Sequence, residues 1–74
     1  MTNSTFRLIR AYLGLTQAEF AELLGVSYST VAGIEAGNRR VSETVQARIA
    51  KDFRAGDAFY EFVERHRILE GDRT

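Results

Sequence analysis

The segment Thr16 to Glu35, TQAEFAELLGVSYSTVAGIE, constrains the fold of this chain more than any other. It reads as two short helices joined by a tight glycine turn, with small and apolar residues where such a pair must pack. Thr16 is placed to cap the first helix. Its hydroxyl can accept from the amide of Glu19 while the Glu19 carboxylate reaches back to the amide of Thr16, a capping box that fixes the helix start. Phe20, Leu23 and Leu24 supply a buried stripe, and Ala21 is small enough for the second helix to approach closely. Gly25, four residues on, provides the positive φ that reverses the chain within a few residues, and Val26 plugs the corner behind it. Ser27 caps the second helix of the pair, which Val31 and Ile34 anchor to the core. Tyr28, Ser29, Ala32 and Gly33 are left on its outer face.

The rest of the chain has the same period. Apolar positions recur at three and four rather than at two, so the expected class is all-α, a compact bundle of five helices in one domain spanning residues 1–74. Ser4 is the expected cap of the first helix, whose inner face holds Phe6, Ile9 and Leu13, and Gly14 ends it. After a polar loop of Asn38, Arg39 and Arg40, Ser42 caps a fourth helix in which Val45, Ile49 and Phe53 share a face. Gly56 divides off a fifth, with Asp57 as its expected cap and Phe59, Phe62, Val63 and Ile68 or Leu69 as its apolar set, before a frayed end from Gly71 to Thr74. At 74 residues the chain lies near the lower limit for a core without staples, and it contains no cysteine for a disulfide or thiolate site. With neither a signal-peptide stretch nor a membrane-spanning window, a cytoplasmic protein with no membrane partner is expected.

Net charge is zero but unevenly spread. Residues 1–55 carry seven basic groups against five acidic, and residues 56–74 carry three against five. An acidic partner would therefore meet the body rather than the tail. The lone histidine, His66, lies among charged residues without a second ligand at metal spacing and reads as surface. No nucleophile, base and acid can be assembled from what remains, so neither catalysis nor a cofactor is expected.

The central spacing is that of a helix-turn-helix, which makes double-stranded DNA the expected partner; an αα-hairpin with no ligand is the plainer alternative. From Phe6 to Phe53 the chain resembles the Cro/CI-like, or XRE-type, helix-turn-helix proteins of phage repressors and small bacterial regulators. The resemblance rests on Gly14-Leu15-Thr16-Gln17-Ala18-Glu19, Leu24-Gly25-Val26-Ser27, Ser29-Thr30-Val31 and Ile34-Glu35-Ala36-Gly37. It implies that Gln17 contacts a phosphate or an outer base edge, that Tyr28, Ser29 and Gly33 face the groove, and that Arg10 and Glu35 form a structural ion pair. Ser27 and Thr30 can serve phosphates beside the helix-end amides, and Asn38, Arg39 and Arg40 follow the reading helix where the duplex backbone would pass. With Thr16 these residues make up the expected DNA-binding set. Arg48, Lys51 and Arg54 read as a solvated face.

The chain departs from the family at Ala32-Gly33, where many relatives carry a polar residue that reads a base. Two explanations stay open: the helix backbone sits closer to the groove floor, or this surface binds a protein instead. The fifth helix is more apolar than a small core needs, so residues 56–74 are expected to hold a homodimer together through Phe59, Tyr60 and Val63, on a core of residues 1–55. The expected function is an operator-binding transcriptional regulator, most simply a repressor; the alternative is an interaction module on the same scaffold that binds a toxin or another regulator.

Overall fold

The computed structural model describes the backbone of residues 1–71 and the side chains of residues 1–67. Five helices follow one another: α1 Asn3–Leu13, α2 Gln17–Leu24, α3 Tyr28–Glu35, α4 Glu43–Asp52 and α5 Asp57–Gly71, with no strand among the described residues. The expectations for the side chains of Ile68 and Leu69 and for residues 72–74 lie outside the described residues, and Gly71 is the last residue of α5.

Local chemistry sets most of the boundaries. At α2 the Glu19 amide donates to Thr16 Oγ1 at 3.1 Å and the Thr16 amide to Glu19 Oε1 at 2.8 Å, which closes the capping box. Ser27 and Ser42 cap α3 and α4 by accepting from the amides of Thr30 and Val45. Gly25 is left-handed, at φ 70°, so α2 can end and α3 begin within three residues.

Two caps differ from expectation. Thr2, not Ser4, caps α1: its backbone is extended, its hydroxyl accepts from the Thr5 amide at 3.0 Å, and the Phe6 amide already bonds to its carbonyl at 3.1 Å. Ser4 is therefore inside the first turn. Asp57 is likewise the first helical residue of α5 rather than its cap, since the Tyr60 amide donates to the carbonyl of Gly56.

Phe6, Phe20, Val31 and Ile34 form the dry centre where α1, α2 and α3 meet, with the Phe6 and Phe20 rings 5.0 Å apart. Burying side chains of this size stabilises by about 1.5–3 kcal/mol each. Leu23 is not part of this core: it is 44% exposed, and Ala21 takes the inward position, because a helix this short turns only a narrow arc of residues 20, 21 and 24 toward α3. Val45 and Ile49 bring α4 to the same core, while Phe53 has already left the helix with an extended backbone and packs beside it. A ring cluster fastens α5: Phe59 lies 4.9 Å from Phe53 and 5.3 Å from Tyr12, and Tyr12 also meets Phe62 at 5.4 Å.

Candidate nucleic-acid interface

The outer surface of α3 is built from the inside out. Val31 and Ile34 are fully buried, so the 100° step per residue turns Ser29, Ala32 and Gly33 away from the core, with exposed Tyr28 at the helix start. The Ser27 and Thr30 hydroxyls are 2.9 Å apart and share a hydrogen bond, which fixes both at the α3 N-terminus. Between Leu24 and Ser42 the one carboxylate is Glu35, and its side chain is only 6% exposed. This face therefore carries no exposed negative charge, and Arg39 and Arg40 stand at its end.

Glu35 is buried because Arg10 meets it with two bonds, Nε to Oε2 at 2.5 Å and Nη2 to Oε1 at 2.8 Å. Arg10 Nη1 also donates to the Leu15 carbonyl at 2.9 Å, so one guanidinium ties α1, the turn before α2 and the end of α3. Burial pushes the Glu35 carboxyl up, but hydrogen bonds from Arg10 and Gln17, with the charges of Arg10 and Arg7, outweigh it and hold the group below its ordinary value. The hydrogen bond to Glu35, opposed by burial, raises Arg10 further above its usual range.

Gln17 belongs to the same network. Its Nε2 donates to Glu35 Oε1 at 3.1 Å, which holds the side chain at the front of α2. Its second amide hydrogen and its carbonyl oxygen keep capacity for an outside partner.

Asn38, Arg39 and Arg40 lie in the loop after α3, and this loop is tied to the helix it leaves. The Asn38 and Arg39 amides both donate to the Gly33 carbonyl, at 2.8 and 3.2 Å. Asn3, from α1, donates through Nδ2 to the carbonyls of Ile34 and Arg39, both at 2.7 Å. Gly33 is not open surface, because the Arg39 side chain lies over it. A Cβ at position 33 would stand 3.1 Å from Arg39 Cδ, 3.2 Å from Cγ and 3.3 Å from Nε.

Sequence reading missed Asn3, whose partners are 31 and 36 residues away. It also misplaced Arg48, which is more than solvated surface: Nη1 donates to the carbonyls of Leu24 and Gly25 at 2.9 and 3.0 Å and caps the C-terminal end of α2. The signal available was the position of a cation where a helix end leaves carbonyls unpaired, but nothing local assigns that end to α4.

The fifth-helix residues divide among themselves. Phe59 is 6% exposed and belongs to this chain's own core, Val63 is half-buried against that core, and Tyr60 is 62% exposed. His66 is half-buried, its ring stacked on Phe62 at 5.8 Å. Among the described residues no group of three or more His, Cys, Asp and Glu side chains could hold a metal ion, and no helix is long and apolar enough to cross a membrane.

A family model described as a helix-turn-helix domain matches residues 4–58, from the second residue of α1 through α4 to the start of α5. No curated protein and no solved structure matches the chain.

Proposed function

The chain belongs to the helix-turn-helix domain family, and from that premise we propose that it is a sequence-specific regulator of transcription of the Cro/CI-like, XRE type. It occupies an operator as a dimer and represses by occluding a promoter. The observation that carries this reading is the outer face of α3: small residues, two hydroxyls at its N-terminus and two arginines at its end, with its one carboxylate buried on Arg10. Such a face fits a groove walled by phosphates. Thr16, Ser27 and Thr30 stand at the N-termini of α2 and α3, where helix-end amides can donate to a phosphate. Gln17, oriented by Glu35, and Tyr28 and Ser29 meet bases or sugar-phosphate, and Asn38 and Arg40 hold the backbone beyond α3. No step of this function requires catalysis or a cofactor.

The dimer reading rests on α5. An apolar hollow of about 490 Å³ opens between α1, α4 and α5, lined in part by Leu8, Phe53, Tyr60 and Val63. A duplex with half-sites one turn of B-DNA apart would require the two α3 helices of such a dimer to lie about 34 Å apart. Tyr60 and Val63 supply that contact; Phe59 supports it from the core.

Mobility shift on random genomic fragments tests the reading. Retention at low salt must weaken steeply as salt rises, and Arg40→Ala must reduce the logarithmic slope by about 0.9. Absence of any retained fragment at low salt overturns it in favour of a protein partner for the same face.

A further inference from the structure

We infer that Arg39, lying across Gly33, is the residue that reads a guanine in the major groove. The inference rests on the DNA-binding reading and assigns to one side chain the specificity that Ala32 and Gly33 have no atoms to supply.

Position 33 is on the outer face of α3, one turn beyond Ser29, where a side chain would project into the groove. Glycine leaves that place empty of its own atoms, and the stem of Arg39 fills it. With Cγ, Cδ and Nε all within 3.1–3.3 Å of where a Cβ would stand, the stem crosses position 33 and the guanidinium begins beside the outer face of α3. Any larger residue at 33 has to push the stem aside.

The arginine is also held. Its amide donates to the Gly33 carbonyl at 3.2 Å, and its own carbonyl accepts from Asn3 at 2.7 Å. The backbone that launches the side chain is therefore fixed by α1 and α3 together, which lowers the ordering cost of a specific contact. Among the described residues the guanidinium has no ion-pair or hydrogen-bond partner. Its planar fork of donors matches the O6 and N7 acceptors of guanine bidentately. Arg40, by contrast, is exposed in the loop with no such seat on the helix, which suits a phosphate.

The test is binding-site selection from a randomised duplex pool, followed by affinities on all single base-pair variants of the selected site. The wild-type chain is expected to lose about tenfold or more when one particular G·C pair in each half-site is replaced. Arg39→Ala should bind all four pairs at that position alike while keeping the remaining preferences. Gly33→Leu, which favours helix and displaces the Arg39 stem, should flatten the same position, with circular dichroism confirming that each variant is folded. Arg40→Ala should weaken all duplexes by one common factor. Two results overturn the inference while leaving the DNA reading intact: Arg39→Ala weakening every duplex equally with a reduced salt slope, or Arg39→Ala retaining full discrimination at that pair. Failure of the wild-type chain to bind any duplex removes the DNA reading and this inference with it.

Discussion

Arg10 and Glu35 join the last turn of α1 to the last residue of α3 through two parallel hydrogen bonds, with 20% and 6% of their side chains exposed. The pair sits beneath the outer face of α3 and also receives Gln17. It therefore links the angle of α3 to the front of α2, so under the proposed function its loss should be felt in both stability and binding.

Removing one partner leaves the other charge in a largely dry site. Arg10→Ala is expected to destabilise by about 3 kcal/mol, the low end for a broken buried pair because the guanidinium keeps some contact with water. The double change Arg10→Met with Glu35→Leu should recover most of that loss, since the desolvation cost of both ions disappears. Urea denaturation of the three chains checks both, and a single change costing below about 1 kcal/mol would count against the brace.

The same pair sets the acid limb of stability. The folded-state pKa of Glu35 lies below the ordinary value of 4.5, so the unfolded chain takes up this proton first as pH falls. The contribution is complete above the unfolded value and is lost as pH drops through the folded one. Urea midpoints from pH 7 to pH 3 should therefore decline more steeply for the wild-type chain than for Glu35→Gln, which is less stable at pH 7 but has no proton to bind there. Parallel declines would show that other carboxylates set the acid limb.

Gly33 makes a stability prediction apart from DNA. Alanine in a helix interior gains about 1 kcal/mol over glycine, yet here its Cβ would press on the Arg39 stem at 3.1 Å. Arg39 is exposed and can yield, so Gly33→Ala should stabilise, but by only about half that amount. In an Arg39→Ala background the full gain of about 1 kcal/mol should appear. Thermal melts of the four chains read the coupling directly, and identical gains in both backgrounds would mean the stem does not rest on Gly33.

What the sequence made legible is what the chain decides locally. The capping box at Thr16 and Glu19, the Ser27 and Ser42 caps and the left-handed turn at Gly25 depend on neighbours within four residues, and spacing alone states them. Leu23 and Phe59 were harder, because an apolar residue declares that it prefers burial but not which partner buries it. Gly33 shows the same limit at the candidate site. Its neighbour in space is six positions on, brought back by bonds from the loop to the Gly33 carbonyl and by Asn3 of a different helix. No periodic pattern in α3 contains that information.

The fifth helix separates fold from assembly, and one pair of substitutions distinguishes them. Phe59 is packed between Tyr12 and Phe53, so Phe59→Ala should cost about 3 kcal/mol and loosen α5 in any oligomeric state. Tyr60 is 62% exposed on the rim of the apolar hollow, so Tyr60→Glu should leave the fold nearly as stable as before. In a dimer that closes over this surface, however, the new carboxylate would be buried without a partner. Sedimentation should then show the wild-type chain as a dimer and Tyr60→Glu as a monomer at the same concentration. The variant should also bind a duplex with two half-sites at least about tenfold more weakly, because two linked contacts become separate ones. A wild-type chain that sediments as a monomer at high concentration would remove the dimer and leave α5 as the lid of a single core.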